Sequence, residues 1–272
     1  MRERTEGTNH IHLLWKQDAE GRKYLIKKSL EGRMDGESLW ITLEGDGAGK
    51  SVTFPVYQQK AGNYGKYSEY MNRHGCACCS LTALLAAYVP KYRNLRPEET
   101  VGIIERACWE EAWRRNYRKH IARQMPVSLY GISRILQKNH IPHRYVGRFE
   151  DGQAMKEMEE HLGRGRPVVI ETSRMRRKNG RIVRWFDKKY AGSYHTMVLL
   201  GIDERGRVLF TDSAQRQWAG SWQRLKKAKL SDLMAYMFPQ KNESDTHVYF
   251  HRRKDTGGYI LIDLDEPGIE IQ

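Results

Sequence analysis

The chain has 272 residues, 39% hydrophobic and 29% charged, with 24 Gly and only 8 Pro, a mix that suits one large or two small globular domains and excludes a collagen, a coiled coil or a disordered tail. Its 47 Lys and Arg outnumber 33 Asp and Glu, for a formal charge of +14, so an acidic partner is the first question the composition raises. Four Cys are too few for a disulfide scaffold.

The polar start MRERTEGTNH lacks the apolar core of roughly 7–15 residues that a secretion signal needs. The longest mostly apolar run, Cys78 to Val89, falls short of the ~20 residues of a membrane helix. The expectation is a soluble protein of the reducing cytoplasm, with free thiols and no membrane partner.

Residues 1–52 read as a β-rich N-terminal extension. A turn at Asp18-Ala19-Glu20-Gly21 precedes alternating apolar character over Lys23 to Lys28; a second turn at Met34-Asp35-Gly36 leads into a strand from Ser38 to Leu43. No Pro, Gly and Ser linker separates this part from residues 53–272, which makes it an elaboration rather than an independent domain. Gly45 to Ser51 imitates a phosphate-binding loop, but three residues rather than four separate its first Gly from Gly49-Lys50-Ser51. The extended Val52-Thr53-Phe54-Pro55 also follows it where a helix is required. It reads as a Gly-rich turn, and ATP binding is rejected.

The middle is helical. Tyr64 to Gly75 is polar and loop-like, and Cys76 to Val89 forms a compact helix. Pro97-Glu98-Glu99 opens a second helix with Ile103, Ile104 and Ala107 on its apolar face. Trp113 to His120 interleaves aromatic and basic residues as an amphipathic face. Ser128 caps a third helix carrying Ile132, Ile135 and Leu136, and Asp151 opens a fourth with Met155, Met158 and Leu162, ended by Gly163. Strands follow from Arg166: Pro167 to Thr172, then His195 to Ile202 and Arg207 to Asp212 around an Asp203–Gly206 turn, then Val248 to His251 and Tyr259 to Leu264. Helices first and an antiparallel sheet later is an α+β order.

His74-Gly75-Cys76-Ala77-Cys78-Cys79-Ser80 carries the chemistry. A metal cluster fails, because Cys78 and Cys79 point about 100° apart on a helix. A redox Cys-x-x-Cys pair, Cys76 with Cys79, lacks a preceding buried strand. A nucleophile fits: a thiol at a helix N-terminus is drawn toward the thiolate, with Gly75 letting backbone approach on the substrate side. Cys78 and Cys79 read as packing. A thiolate needs an oriented base. His10, His12, His120, His140, His143 and His161 lie in polar stretches, whereas His195 stands at the mouth of the apolar strand Thr196-Met197-Val198-Leu199-Leu200. A four-residue Asp203–Gly206 turn places Asp212 opposite Met197, on the sheet face of His195.

These residues resemble the papain-like cysteine peptidases, and within them the bacteriocin-processing (double-glycine leader) peptidases and their stand-alone relatives. The matching pieces are Pro55-Val56-Tyr57-Gln58-Gln59, Gly75-Cys76, Tyr194-His195-Thr196-Met197-Val198-Leu199-Leu200-Gly201 and Val208-Leu209-Phe210-Thr211-Asp212-Ser213, with Cys, His and Asp in the family's order. The resemblance implies an α+β papain-like fold, with the Cys helix packed on an antiparallel sheet. It implies Cys76 as nucleophile, His195 as base and then acid, Asp212 as its orienter, and Gln59, or alternatively Gln58, as oxyanion donor beside the Cys76 amide. Gly75, Tyr194 and Trp218 become candidate substrate-binding residues, and Trp218 and Trp222 could cover the His–Asp pair from water. The implied partner is a peptide or protein substrate, and no cofactor is required. Ala77 stands where the family usually has Gly.

Arg174 to Lys189 sets eight Lys and Arg against Asp187 just before His195. It reads either as a solvated loop or as a steering surface for an acidic peptide. The competing functions are a papain-like acyl or peptidyl transferase, and a catalytically silent module binding an acidic protein through residues 174–189. Nucleic acid is the less favoured partner.

Overall fold

A computed structural model describes residues 8–31, 38–44, 51–60, 64–114, 127–191, 193–214, 224–240 and 257–263. Four N-terminal strands, β1 (Thr8–Gln17), β2 (Lys23–Glu31), β3 (Ser38–Glu44) and β4 (Ser51–Val56), form a sheet in the order β2-β1-β3-β4. Then come α1 (Ser68–Tyr88), α2 (Pro97–Arg114), α3 (Leu129–Lys138), β5 (His143–Val146), α4 (Asp151–Gly163) and β6 (Val168–Ser173). The last third holds a small hairpin of β7 (Arg176–Lys178) and β8 (Arg181–Arg184), then β9 (Tyr194–Ile202), β10 (Val208–Thr211), β11 (Leu225–Ala228), α5 (Leu230–Met234) and β12 (Tyr259–Ile262). The larger sheet runs β11-β10-β9-β6-β12-β5 and is antiparallel throughout. This is the α+β architecture expected.

Alternation explains the strands. Ile11, Leu13 and Trp15 bury one face of β1, and their core continues through Ile41, Phe54, Leu81, Leu84, Val198, Leu200 and Ile260. The N-terminal sheet, α1 and one face of the larger sheet thus share a single core. The opposite face of the larger sheet packs Met197, Leu199 and Phe210 against Met158, Leu162 and Leu233 from α4 and α5. Gly201 is where the N-terminal sheet meets β9: a Cβ there would stand 2.4 Å from the Trp15 ring and 2.8 Å from Leu25. The 52/53 boundary expected between extension and domain falls inside β4, whose ladder with β3 joins the two parts. Ser51 opens that strand, where a phosphate loop needs a helix; residues 45–50 lie outside the described residues.

Three helix starts follow their signals. Ser128 accepts the Gly131 N–H at 3.0 Å, Pro97 stands first in α2 with Glu98 and Glu99 behind it, and α4 begins at Asp151. The helix carrying Cys76 differs. It begins at Ser68, not Cys76, because the polar segment read as a loop has helical i,i+4 complementarity: Glu69 pairs with Arg73 at 3.0 Å and Tyr70 meets His74 edge-on. Met71, fully buried, anchors that turn.

The β9–β10 hairpin reaches the expected alignment by a different path. Val208 opposes Ile202 and Leu209 opposes Gly201, which implies a five-residue connection; a bulge then skips Leu200, so that Phe210 opposes Leu199. At Phe210 that shift gives the register expected of a four-residue turn. Val248 to His251, Trp218, Trp222 and the end of the Trp113–His120 segment lie outside the described residues. Among those described, no helix is long and apolar enough to cross a membrane.

Candidate active site

Helix α1 lies against β9 and is clamped there by Ser80, whose hydroxyl donates to the Thr196 carbonyl at 3.2 Å. One turn earlier, Cys76 meets the first residues of β9. Its sulfur takes hydrogen bonds from the His195 ring, the Thr196 N–H and the Tyr194 hydroxyl. His195, 3% exposed, joins Asp212 through Nε2 and Oδ1 at 2.8 Å; that leaves Nδ1 as the ring nitrogen for the sulfur. His195 is itself held by β6: Thr172 stands opposite it and donates its hydroxyl to the His195 carbonyl at 3.3 Å.

Asp212 follows the last residue of β10. Its N–H donates to the Arg224 carbonyl at 2.7 Å and its Oδ1 accepts the Ala214 N–H at 2.9 Å. Its Oδ2 accepts from Lys226 Nζ, on β11. Lys226 and the bond to Ala214 were not foreseen from the sequence, because β11 is only four residues long and two of them are charged, LKKA.

The electrostatics follow from burial and pairing. Burial pushes the Cys76 thiol up, but the hydrogen bond and charge of His195 outweigh it, and the thiol sits below its ordinary range. Burial likewise disfavours the His195 imidazolium, yet its bonds to Asp212 and Cys76 push its pKa up. Burial pushes the Asp212 carboxyl up, and His195 with Lys226 overcomes this to hold it far below the usual carboxylate range. Cys78 and Cys79 behave oppositely: burial, reinforced by a neighbouring thiol, raises both. Cys78 donates to the Pro97 carbonyl at 3.1 Å. Both belong to the core, as expected of packing residues.

Gln59 and Gln58 are both buried, and their surroundings separate them. The Gln59 N–H donates to the Ser213 carbonyl at 2.9 Å, and its Oε1 accepts the Ser213 hydroxyl at 3.2 Å. With Oε1 engaged, the amide nitrogen is the end of Gln59 directed elsewhere. Gln58 Oε1 lies 3.5 Å from Arg224 Nη2, and its carbonyl accepts the Tyr64 hydroxyl at 2.6 Å.

Two expectations are corrected here. Cys76 is the ninth residue of α1, so its N–H is an interior rung of the i→i−4 ladder and not one of the free amides of a first turn. Neither activation by a helix N-terminus nor the Cys76 amide as oxyanion donor follows from this geometry. Gly75 is buried and faces inward; a Cβ on it would stand 2.8 Å from Gln59 Cβ and 2.9 Å from Met71 Cε. Its smallness admits Gln59. Tyr194 places its hydroxyl on the Cys76 sulfur and 3.4 Å from His74 Nδ1. Burial and the charge of Cys76 push the Tyr194 phenol up, so it stays protonated and can donate.

Residues 51–240 match the sequence profile of the peptidase C39-like family. No curated protein matches the chain.

Proposed function

The chain belongs to the peptidase C39-like family, cysteine peptidases of papain-like fold that act on peptide or protein substrates, and from that premise we propose that Cys76, His195, Asp212 and Gln59 carry out amide hydrolysis here. The observation that carries this reading is His195 bridging Asp212 at 2.8 Å and the Cys76 sulfur in one buried row.

In the resting pair His195 holds the proton and Cys76 the negative charge. The sulfur attacks the scissile carbonyl carbon, and the C=O electron pair moves onto oxygen, where the Gln59 amide N–H₂ donates to it. The tetrahedral adduct collapses by breaking the C–N bond, and His195 delivers its proton to the departing amine. A water then attacks the thioester as His195 takes its proton; the C–S bond breaks, the acid leaves, and the thiolate is restored. Asp212 keeps the His195 ring in the orientation that presents Nδ1 to sulfur, and Lys226 keeps Asp212 ionised. No cofactor enters these steps.

Residues 53–272 act as the peptidase domain, with residues 1–52 as a buttress behind β9. The test is digestion of a mixed peptide library followed by mass spectrometry. New termini produced by the wild type and absent with Cys76→Ala support the reading. An uncleaved library, with Cys76 no more reactive than the other thiols, contradicts it.

A further inference from the structure

Among the described residues four large hydrophobic side chains are exposed, and three of them sit in one place: Val183 (57%), Trp185 (62%) and Phe186 (70%). They belong to the β7–β8 hairpin, closed by Asn179 (φ 51°) and Gly180 (φ 72°), the left-handed pair of a two-residue turn. The hairpin is strongly basic. Arg177 is buried against Asp151 at 2.5 Å, Arg184 pairs with Asp187 at 3.6 Å, and Lys189 with Asp232 at 3.7 Å. Arg176, Lys178, Arg181 and Lys188 are exposed and form no ion pair with described residues. Arg174 stacks on the Phe186 ring at 4.8 Å.

This surface is preformed. The Arg177 N–H donates to the Ala235 carbonyl at 2.7 Å and its Nε to the Met237 carbonyl, while its guanidinium lies over Phe149 and Phe238. Asp187 accepts the Tyr236 hydroxyl at 2.8 Å and donates its N–H to the Arg174 carbonyl at 2.7 Å. A fixed hairpin with bare aromatic rings costs stability or solubility unless something covers it, and its rigidity lowers the entropy lost on binding.

Its location identifies what covers it. Thr172 opposes His195, Ser173 opposes Tyr194, and Arg174 N–H donates to the Ser193 carbonyl at 3.1 Å. The hairpin therefore grows from the end of β6 and β9 that holds His195, and β7 begins four residues past Thr172, about 13 Å away at strand rise. We propose that the β7–β8 hairpin is the docking surface for an acidic, apolar-rich stretch of the peptide substrate, four to six residues or so from the scissile bond. Acidic side chains meet Arg176, Lys178, Arg181 and Lys188, and large apolar ones cover Val183, Trp185 and Phe186. The inference rests on the peptidase reading for its occupant, while its test does not depend on catalysis.

The experiment uses the full chain carrying Cys76→Ala, with fluorescence anisotropy of a short labelled peptide in which Glu and Leu alternate. The proposal expects binding that weakens with added salt. It also expects a loss of about tenfold or more in Trp185→Ser/Phe186→Ser and in Lys178→Glu/Arg181→Glu, with far-UV circular dichroism unchanged. Equal binding of a control peptide with Lys replacing Glu overturns it, as does undiminished binding by both variants. Tighter binding to phosphatidylserine vesicles or to single-stranded DNA than to the acidic peptide also overturns it. Docking with an unreactive Cys76 in the wild type would sink the peptidase reading and leave the docking surface standing; reactivity without docking does the reverse.

Discussion

Single side chains set the chemistry, and each makes a separable prediction. Gln59 packs against Gly75, the neighbour of Cys76, only because Gly75 has no Cβ, and Ser213 holds its carbonyl end. Gln59→Ala is expected to lower kcat/KM by about 10²–10³ while leaving the rate of Cys76 alkylation unchanged, because in the proposed mechanism Gln59 stabilises the adduct and not the thiolate. Lys226 acts on Asp212 alone. With the Asp212 carboxyl depressed in the folded state, its contribution to stability is present above the unfolded carboxylate value near 3.9 and lost as pH falls through the folded one. Lys226→Met removes one of the groups that depress it, so the folded value rises, the contribution shrinks and its loss is complete at higher pH. Acid unfolding followed by circular dichroism is expected to move to higher pH in the variant, and an unchanged midpoint would show that Lys226 does not govern Asp212.

Secondary-structure elements decide whether those side chains meet. Ser80 joins α1 to β9 directly below the site; Ser80→Ala is expected to cost about 1 kcal/mol of unfolding free energy and to slow Cys76 alkylation, read by urea titration and by mass spectrometry. At this scale much was legible in the sequence. Ser128 and Pro97 announced their helices through capping chemistry, and the run Thr196 to Leu200 was readable as a buried strand because every residue in it is apolar or β-branched. Cys76, His195, Asp212 and Gln59, singled out from the sequence, are brought together at one end of β9. The start of α1 was illegible, since its first two turns rely on i,i+4 pairs at an exposed surface instead of an apolar stripe. The β9–β10 register at Phe210 was foreseen, but the bulge at Leu200 that produces it leaves no mark on the sequence. Asn179-Gly180 is a recognisable hairpin signal that went unread because its flanks are charged rather than alternating. Trp185 and Phe186 were masked in the same way by the surrounding Arg and Lys.

Over the whole molecule, the N-terminal sheet and the peptidase fold share one core, with Trp15 seated on Gly201 of β9, the strand that begins with Tyr194 and His195. Trp15→Ala is expected to cost about 3–5 kcal/mol, and Gly201→Val to destabilise by forcing Trp15 off the strand; both are checked by thermal unfolding. Residues 174–189 set eight Lys and Arg against one Asp, so among the described residues the hairpin beside the site is a focus of positive charge. In the proposed mechanism the hydrogen bonds and charge of His195, with the Thr196 N–H and the Tyr194 hydroxyl, make Cys76 a thiolate despite its burial, while Cys78 and Cys79 stay protonated. The direct measurement is the rate of iodoacetamide labelling at each cysteine across pH 5 to 9, mapped by mass spectrometry in the wild type and in His195→Ala. Cys76 is expected to label fastest and already on the acid side of the ordinary thiol range near 8.5, and His195→Ala is expected to move its onset to higher pH. Labelling of Cys76 that tracks Cys78 and Cys79, or that is unchanged in His195→Ala, would contradict the proposed mechanism.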